Sequence, residues 1–190
     1  MSLKTPVRID PPAAAPGCEG ELCSVALAAE QIGERWTVLV LREVFYGSNR
    51  FETIRENLGI ARNILADRLR RLVGIDVLEK RPAVPGGRRC EYRLTEKGRD
   101  LLPVLIALTQ WGDRWLQPGG RAPVEFRDRR DGEPIARVAL RAADGRALGG
   151  RDLLVVPGPG ASAATRRRVE RIGQRLEPVG ADPRSRGEAS

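Results

Sequence analysis

A chain of 190 residues, 41% of them hydrophobic, can bury the core of one or two domains and is too apolar to be disordered overall. Its formal net charge of +8 favours an anionic partner, nucleic acid or an acidic membrane surface, although a composition rich in Arg, Ala, Gly and Val accounts for part of that charge. With no His, the usual general base, metal ligand and pH switch are missing, and an odd count of 3 Cys argues for a reducing cytosol rather than a secreted disulfide framework.

Residues 1–17 are rich in Pro and Ala and are expected to form a flexible arm. They lack the apolar segment of a signal peptide, and no run approaches the roughly 18 apolar residues that span a bilayer, so a cytoplasmic protein without membrane contact is expected. Residues 23–32, CSVALAAEQI, predict a first helix with Ser24 as a candidate N-cap, interrupted at Gly33. Residues 36–45, WTVLVLREVF, are apolar nearly all round, as a central buried helix should be. The turn YGSN (46–49) follows, with Ser48 or Asn49 placed to cap the next helix. Arg50 stands at that helix's N-terminus, where the dipole disfavours a cation unless a phosphate is near. It is a candidate phosphate contact or, equally, a solvated surface Arg.

The stretch FETIRENLGIARNILADRLRRL (51–72) predicts two short helices joined at Gly59. Phe51, Ile54 and Leu58 make the apolar stripe of the first, and Gly59 is placed for a left-handed C-cap. The second begins near Ala61. At 100° per residue, Ala61, Ile64, Leu65, Leu69 and Leu72 share one side. Asn63, Ala66, Asp67 and Arg70 share the other, flanked by Arg62 and Arg71. A helix-turn-helix needs this division, since its second helix enters the major groove with its N-terminal residues at base edges. Arg62, Asn63, Asp67 and Arg70 are therefore candidate base readers, and Arg71 a phosphate contact. The plainer alternative is an αα-hairpin with a solvated basic face. Arg68 lies on the apolar side, where an Arg packs its stem and pairs with a carboxylate; a structural role is assigned to it.

Residues 77–84, VLEKRPAV, read as a strand with Pro82 at an edge, followed by the turn PGGR (85–88). In 89–94, RCEYRL, Cys90, Tyr92 and Leu94 alternate with Arg89, Glu91 and Arg93, the period of a half-buried strand. A helix-turn-helix followed by a hairpin with Arg88 and Arg89 at its tip is a winged helix, and those two arginines are candidate phosphate contacts. Thr95 caps the following segment, in which Leu101, Leu105, Leu108, Trp111 and Trp115 recur at helical spacing and Pro103 kinks or restarts the helix. This stripe is left over once a winged core is complete. Leu105, Leu108, Trp111 and Trp115 are therefore expected to form a homodimer interface as well as packing on their own domain.

QPGGR (117–121) marks a boundary. Beyond it PVEFRD, PIARVALRA and RDLLVVPG predict three short strands separated by DGE, ADG and LGG turns, and TRRRVERIGQRL predicts a basic helix. The GPGAS before that helix lacks the Lys and spacing of a phosphate loop and reads as a plain turn. The expected class is α+β: a winged helix-turn-helix domain over 18–117, mainly α with a two-stranded wing, then a small β-rich extension over 121–176 ending in a helix, and a frayed tail over 177–190.

The chain from about Cys23 to Leu116 resembles the HxlR-type winged helix-turn-helix regulators of bacteria and archaea. The resemblance rests on C-S-V ahead of I-G-E-R-W, then R-F-E-T-I, L-G-I-A, L-A-D-R-L-R-R-L, and C-E-Y-R-L-T-E-K-G-R-D-L-L-P-V-L with W-G after it. It implies a homodimeric, cytoplasmic, DNA-binding transcription factor responding to a small molecule or an oxidant. Cys23 matches the family's common N-terminal Cys, a redox or electrophile sensor in some relatives; an inert packed thiol is the plainer alternative. Two departures stand out. V-G-I-D-V-L replaces the usual acidic, Gly-containing link before the wing, with Gly74 displaced. The extension lacks the paired cysteines that suit zinc in longer members, so neither metal nor cofactor is expected. The function implied is a homodimer on a pseudo-palindromic operator in double-stranded DNA. The alternative is a winged-helix interaction module without sequence-specific DNA binding. No nucleophile–base pair or metal cluster supports an enzyme.

Overall fold

The computed structural model describes residues 23–84, 87 and 89–173. The expected arm, the frayed tail, Cys18 and Arg88 lie outside the described residues. Seven α-helices are described: α1 (Ser24–Ile32), α2 (Arg35–Phe45), α3 (Phe51–Leu58), α4 (Arg62–Gly74), α5 (Glu96–Arg99), α6 (Leu102–Trp115) and α7 (Ala163–Gly173). Strands β1 (Leu78–Pro82) and β2 (Cys90–Leu94) form an antiparallel hairpin between α4 and α5, and two-residue strands β3 (Leu140–Arg141) and β4 (Ala147–Leu148) form another before α7. Residues 24–138 make one compact unit and residues 139–173 belong to a second.

The first unit is built on α2. Val40, Leu41 and Val44 are buried with Ile54 of α3, Leu65, Leu69 and Leu72 of α4, and Val77 and Leu78 at the start of the hairpin. Burying each such side chain stabilises the fold by about 1.5–3 kcal/mol, so these positions, spaced as the sequence pattern requires, dominate the packing. Gly59 takes φ 59° at the end of α3 and closes it with bonds to the Arg55 and Glu56 carbonyls. That left-handed cap turns the chain directly into α4. Ser48 and Asn49 do not cap α3, contrary to expectation: its N-cap is Arg50, without a side-chain bond. Ser48 instead accepts from Asn57 at 3.1 Å, and the Asn49 carbonyl accepts from the Tyr92 amide at 2.8 Å. The backbone ahead of α3 is thereby fastened to the hairpin, with Arg50 bridging to Glu91. Ser24 likewise lies inside α1 as its first residue rather than ahead of it.

Asp76 takes φ 59° between α4 and β1, the left-handed role that a displaced Gly74 leaves open. The hairpin pairs Leu78 with Leu94 and Pro82 with Cys90. Strict alternation fails on β2: Glu91 is the buried residue, 8% exposed, while Cys90, Tyr92 and Leu94 are half-buried. Glu91 is drawn inward by Arg50 at 3.5 Å and Arg93 at 3.2 Å, which compensate its charge. Thr95 caps α5 by accepting from the Gly98 amide at 3.1 Å, and Pro103 starts α6 as a separate helix.

Residues 121–138 stay with the first unit. The Gln110 amide on α6 donates to the Ala136 carbonyl at 3.3 Å and accepts from the Val138 amide at 2.8 Å. The three expected strands reduce to one bridge, Arg127 to Pro134, and the β3–β4 hairpin; Arg151 and Asp152 of the third join Gly150 in a turn of 3-10 helix. The DGE and ADG turns do form, with Gly132 at φ 76° and Gly145 at φ 84°. The apolar run 153–156 is exposed, so it lacks the partner strand that would have made it a strand.

Candidate nucleic-acid interface

Helices α3 and α4 place the predicted readers. The buried side of α4 is Leu65, Leu69 and Leu72. Arg62, Asn63, Asp67 and Arg70 are all exposed on its other side, so the four come together on one free surface. Arg62 is the first residue of α4 and is 69% exposed along its side chain. Its guanidinium bonds Glu52 of α3 and lies over the Phe51 ring, 5.3 Å from the centroid. Arg70 pairs with Asp67 at 3.3 Å, one helical turn back. Arg68 turns inward as expected, only 18% exposed, and its Nε pairs with Glu34 at the start of α2 at 2.7 Å. Arg71 is exposed beside this face and donates to the Glu30 carbonyl at the end of α1, which ties α4 to α1.

Around this helix lie further cations. Arg50 precedes α3 and is 60% exposed while paired with Glu91. Lys80, Arg81 and Arg89 are exposed on the hairpin, and the Arg89 carbonyl accepts from the Ala83 amide at 2.8 Å, which keeps the two strands together past Pro82. The sequence reading missed Glu52 and Arg55, which sit on α3 beside the reader. Their three-residue spacing on a helix was the available signal.

Beneath α3, Glu43 of α2 is buried and accepts from Asn57 and Arg42, each at 2.7 Å. Burial pushes its carboxyl up, but bonds from Asn57, Arg42 and Ser48 outweigh this and hold it below the ordinary carboxylate value. It thus stays ionised and locks α3 to α2.

On the opposite side, Leu105 is half-buried and packs against its own core. Leu108, Trp111 and Trp115 are more than half exposed, at 51%, 51% and 62%. An apolar hollow of about 160 Å³ lies between α2 and α6, lined by Leu39, Phe45, Tyr46, Ile106 and Phe126 among others. Cys23, just ahead of α1, is half-buried. Among the described residues no cluster of His, Cys, Asp and Glu could hold a metal ion, and no helix is long and apolar enough to cross a membrane.

A bracing helix anchored on the core by Ile54, a left-handed turn, a second helix with a free polar face and an adjoining basic hairpin define a winged helix-turn-helix protein of the nucleic-acid-binding class. Comparison with known proteins gives the family. Residues 31–119 match the profile of the HxlR-like helix-turn-helix family. An uncharacterized HTH-type transcriptional regulator of Mycobacterium tuberculosis is 41% identical over 145 residues, 76% of this chain and 90% of that one. The crystal structure of PA1607, described as a transcription-factor candidate, superposes with TM-score 0.67 at 40% identity, covering 72% of this chain and 95% of that one. PA1374 of Pseudomonas aeruginosa, similarly described, gives TM-score 0.54 at 35% identity over 77% of this chain and 99% of its own. The chain belongs to the HxlR family of HTH-type transcriptional regulators, and it is a regulator rather than an enzyme.

Proposed function

We propose that the protein binds a pseudo-palindromic operator as a homodimer, with α4 of each subunit in the major groove. The observation that carries this is the gathering of Arg62, Asn63, Asp67 and Arg70 on the one free face of a helix whose other face is buried in the core. Arg pairs bidentately with guanine and Asn with adenine, so Arg62 and Asn63 at the start of α4 read sequence. Arg50 and Arg89, before α3 and on the wing, contact phosphates and set the register. Two subunits suit a pseudo-palindrome, and the exposed Leu108, Trp111 and Trp115 of α6 are the surface that joins them. A signal enters either at the α2–α6 hollow, which suits a small apolar molecule, or at Cys23, which suits an oxidant.

The test is a set of Ala variants measured on operator and scrambled DNA at several salt concentrations. Arg62→Ala and Asn63→Ala are expected to weaken the operator complex by roughly 1–3 kcal/mol and the scrambled complex little. Arg50→Ala and Arg89→Ala are expected to weaken both alike, each flattening the salt dependence by about one unit as one phosphate goes unneutralised. If the dimer neutralises roughly 8 phosphates, log K falls with log salt at a slope of about −7. Equal weakening of both DNAs by Arg62→Ala would show that α4 does not read with this face.

A further inference from the structure

We propose that Glu52 is the residue that sets the discrimination of this protein between its operator and other DNA, by holding the Arg62 guanidinium ready for a base edge and withholding it from phosphates. The proposal rests on the reading of α4 given above.

Glu52 stands in the first turn of α3 and is exposed, yet both its carboxylate oxygens are taken. Oε1 accepts from Arg62, and Oε2 accepts from the Arg55 Nε at 2.8 Å. The Arg62 guanidinium carbon also lies over the Phe51 ring, 5.3 Å from its centroid. A guanidinium held by a carboxylate and by an aromatic face has lost most of its freedom before DNA arrives. Its remaining N–H groups are the ones left to point outward. Bidentate recognition of guanine requires that fixed plane, because both bonds form only in one orientation.

The charge acts in the same direction. Glu52 is anionic throughout the neutral range, since the bond from Arg55 and the nearby Arg62 hold its carboxyl below the ordinary value. Two cations that would otherwise bind any phosphate are neutralised by it. A carboxylate at the mouth of the reading surface also repels the DNA backbone. The energy lost to this repulsion is common to all sequences, whereas the gain from an oriented Arg62 comes only with the right base. Specificity is a difference of affinities, and a repulsive group that the correct partner compensates enlarges that difference. Asp67 also pairs with two arginines, Arg68 at 3.2 Å and Arg70 at 3.3 Å, but both lie on its own helix, α4. Glu52 instead joins two helices of the DNA-reading motif through the first residue of α4.

The experiment compares wild type, Glu52→Gln, Glu52→Asp, Arg62→Ala and Glu52→Gln/Arg62→Ala in the full chain. Binding to operator and to scrambled duplex is titrated at several salt concentrations. Glu52→Gln should bind scrambled DNA about tenfold more tightly, steepen its salt slope by about one to two units as Arg55 and Arg62 turn to phosphates, and lower the operator-to-scrambled ratio about tenfold. Glu52→Asp, which keeps the charge, should keep most of that ratio. In the Arg62→Ala background, Glu52→Gln should leave the ratio unchanged, because its effect on reading passes through Arg62. A ratio and slope that stay at wild-type values in Glu52→Gln overturn the proposal while leaving the α4 reading intact. Equal weakening on both DNAs, the result of a merely structural role, overturns it too. A wild type that binds both duplexes alike overturns the α4 reading and the proposal together.

Discussion

At the scale of single residues, two carboxylates govern the motif, and neither was conspicuous in the sequence. Glu43 is buried among Arg42, Asn57 and Ser48, so its charge is compensated where it would otherwise be costly. Its folded pKa lies below the ordinary 4.5, so its ionisation stabilises the fold above that pH, and the contribution is lost as pH falls through the folded value. Glu43→Gln is expected to cost about 1.5–3 kcal/mol at pH 7, the worth of hydrogen bonds to a charged group. Urea unfolding at pH 7 and again below pH 4.5 checks this, and the difference from wild type should shrink in acid as the wild-type carboxyl itself protonates. Glu52, by contrast, is exposed, and its contribution to stability is small; what it controls is which partner Arg62 accepts.

At the scale of elements, the junction between α4, the hairpin and α5 shows how tightly the wing is set. Thr95 Oγ1 donates to the Asp76 carbonyl at 2.6 Å and accepts from the Gly98 amide, while Lys97 donates to the Ile75 carbonyl at 2.8 Å. A Cβ built on Gly98 would lie 2.2 Å from the Val77 carbonyl oxygen, so α5 approaches the backbone more closely than any side chain permits. Thr95→Ala is expected to cost about 1 kcal/mol through loss of the cap. Gly98→Ala should cost more, about 1–3 kcal/mol, because backbone must move to admit the methyl group. Thermal unfolding of both variants tests the order. A Gly98→Ala protein as stable as wild type would mean that α5 is free to shift and that the wing is not fixed by it.

At the scale of the whole molecule, α6 of the first unit carries a large apolar face that is exposed among the described residues. Leu108, Trp111 and Trp115 are exposed on α6, whereas Leu105, on the same stripe, is drawn into the core. The four therefore separate into two roles with different signatures. Trp111→Ala with Trp115→Ala is expected to shift the protein from dimer to monomer at micromolar concentration with little loss of fold. Leu105→Ala should instead lower stability by about 2–4 kcal/mol as a core truncation. Sedimentation velocity read beside far-UV circular dichroism separates the two outcomes. A wild-type monomer that binds a two-half-site operator tightly would refute the role given to this face.

The sequence by itself determined the order of elements in the winged domain, because each is written in local signals. Helix α4 has its 3.6-residue stripe, α3 its Gly59 stop, α5 its Thr95 cap and α6 its Pro103 start. It also placed Arg68 inward, since an Arg between Leu65 and Leu72 has only one use for its charge. What only the tertiary structure decided are matters of who lies beside whom. Period-two alternation put Glu91 outside, yet Arg50 and Arg93 compensate it and it is buried. The bond from Arg71 to the Glu30 carbonyl at the end of α1 joins residues 41 apart in the chain, which no local pattern could show. The extension was expected to hold three strands, but a strand is stabilised by its neighbour, and among the described residues pairing is confined to Leu140–Arg141 with Ala147–Leu148 and the single bridge from Arg127 to Pro134. Helices announce themselves within a few residues. Charge pairing and strand pairing depend on residues far apart in the chain, as Glu52 and Arg62 do, and are fixed only when packing brings those residues together.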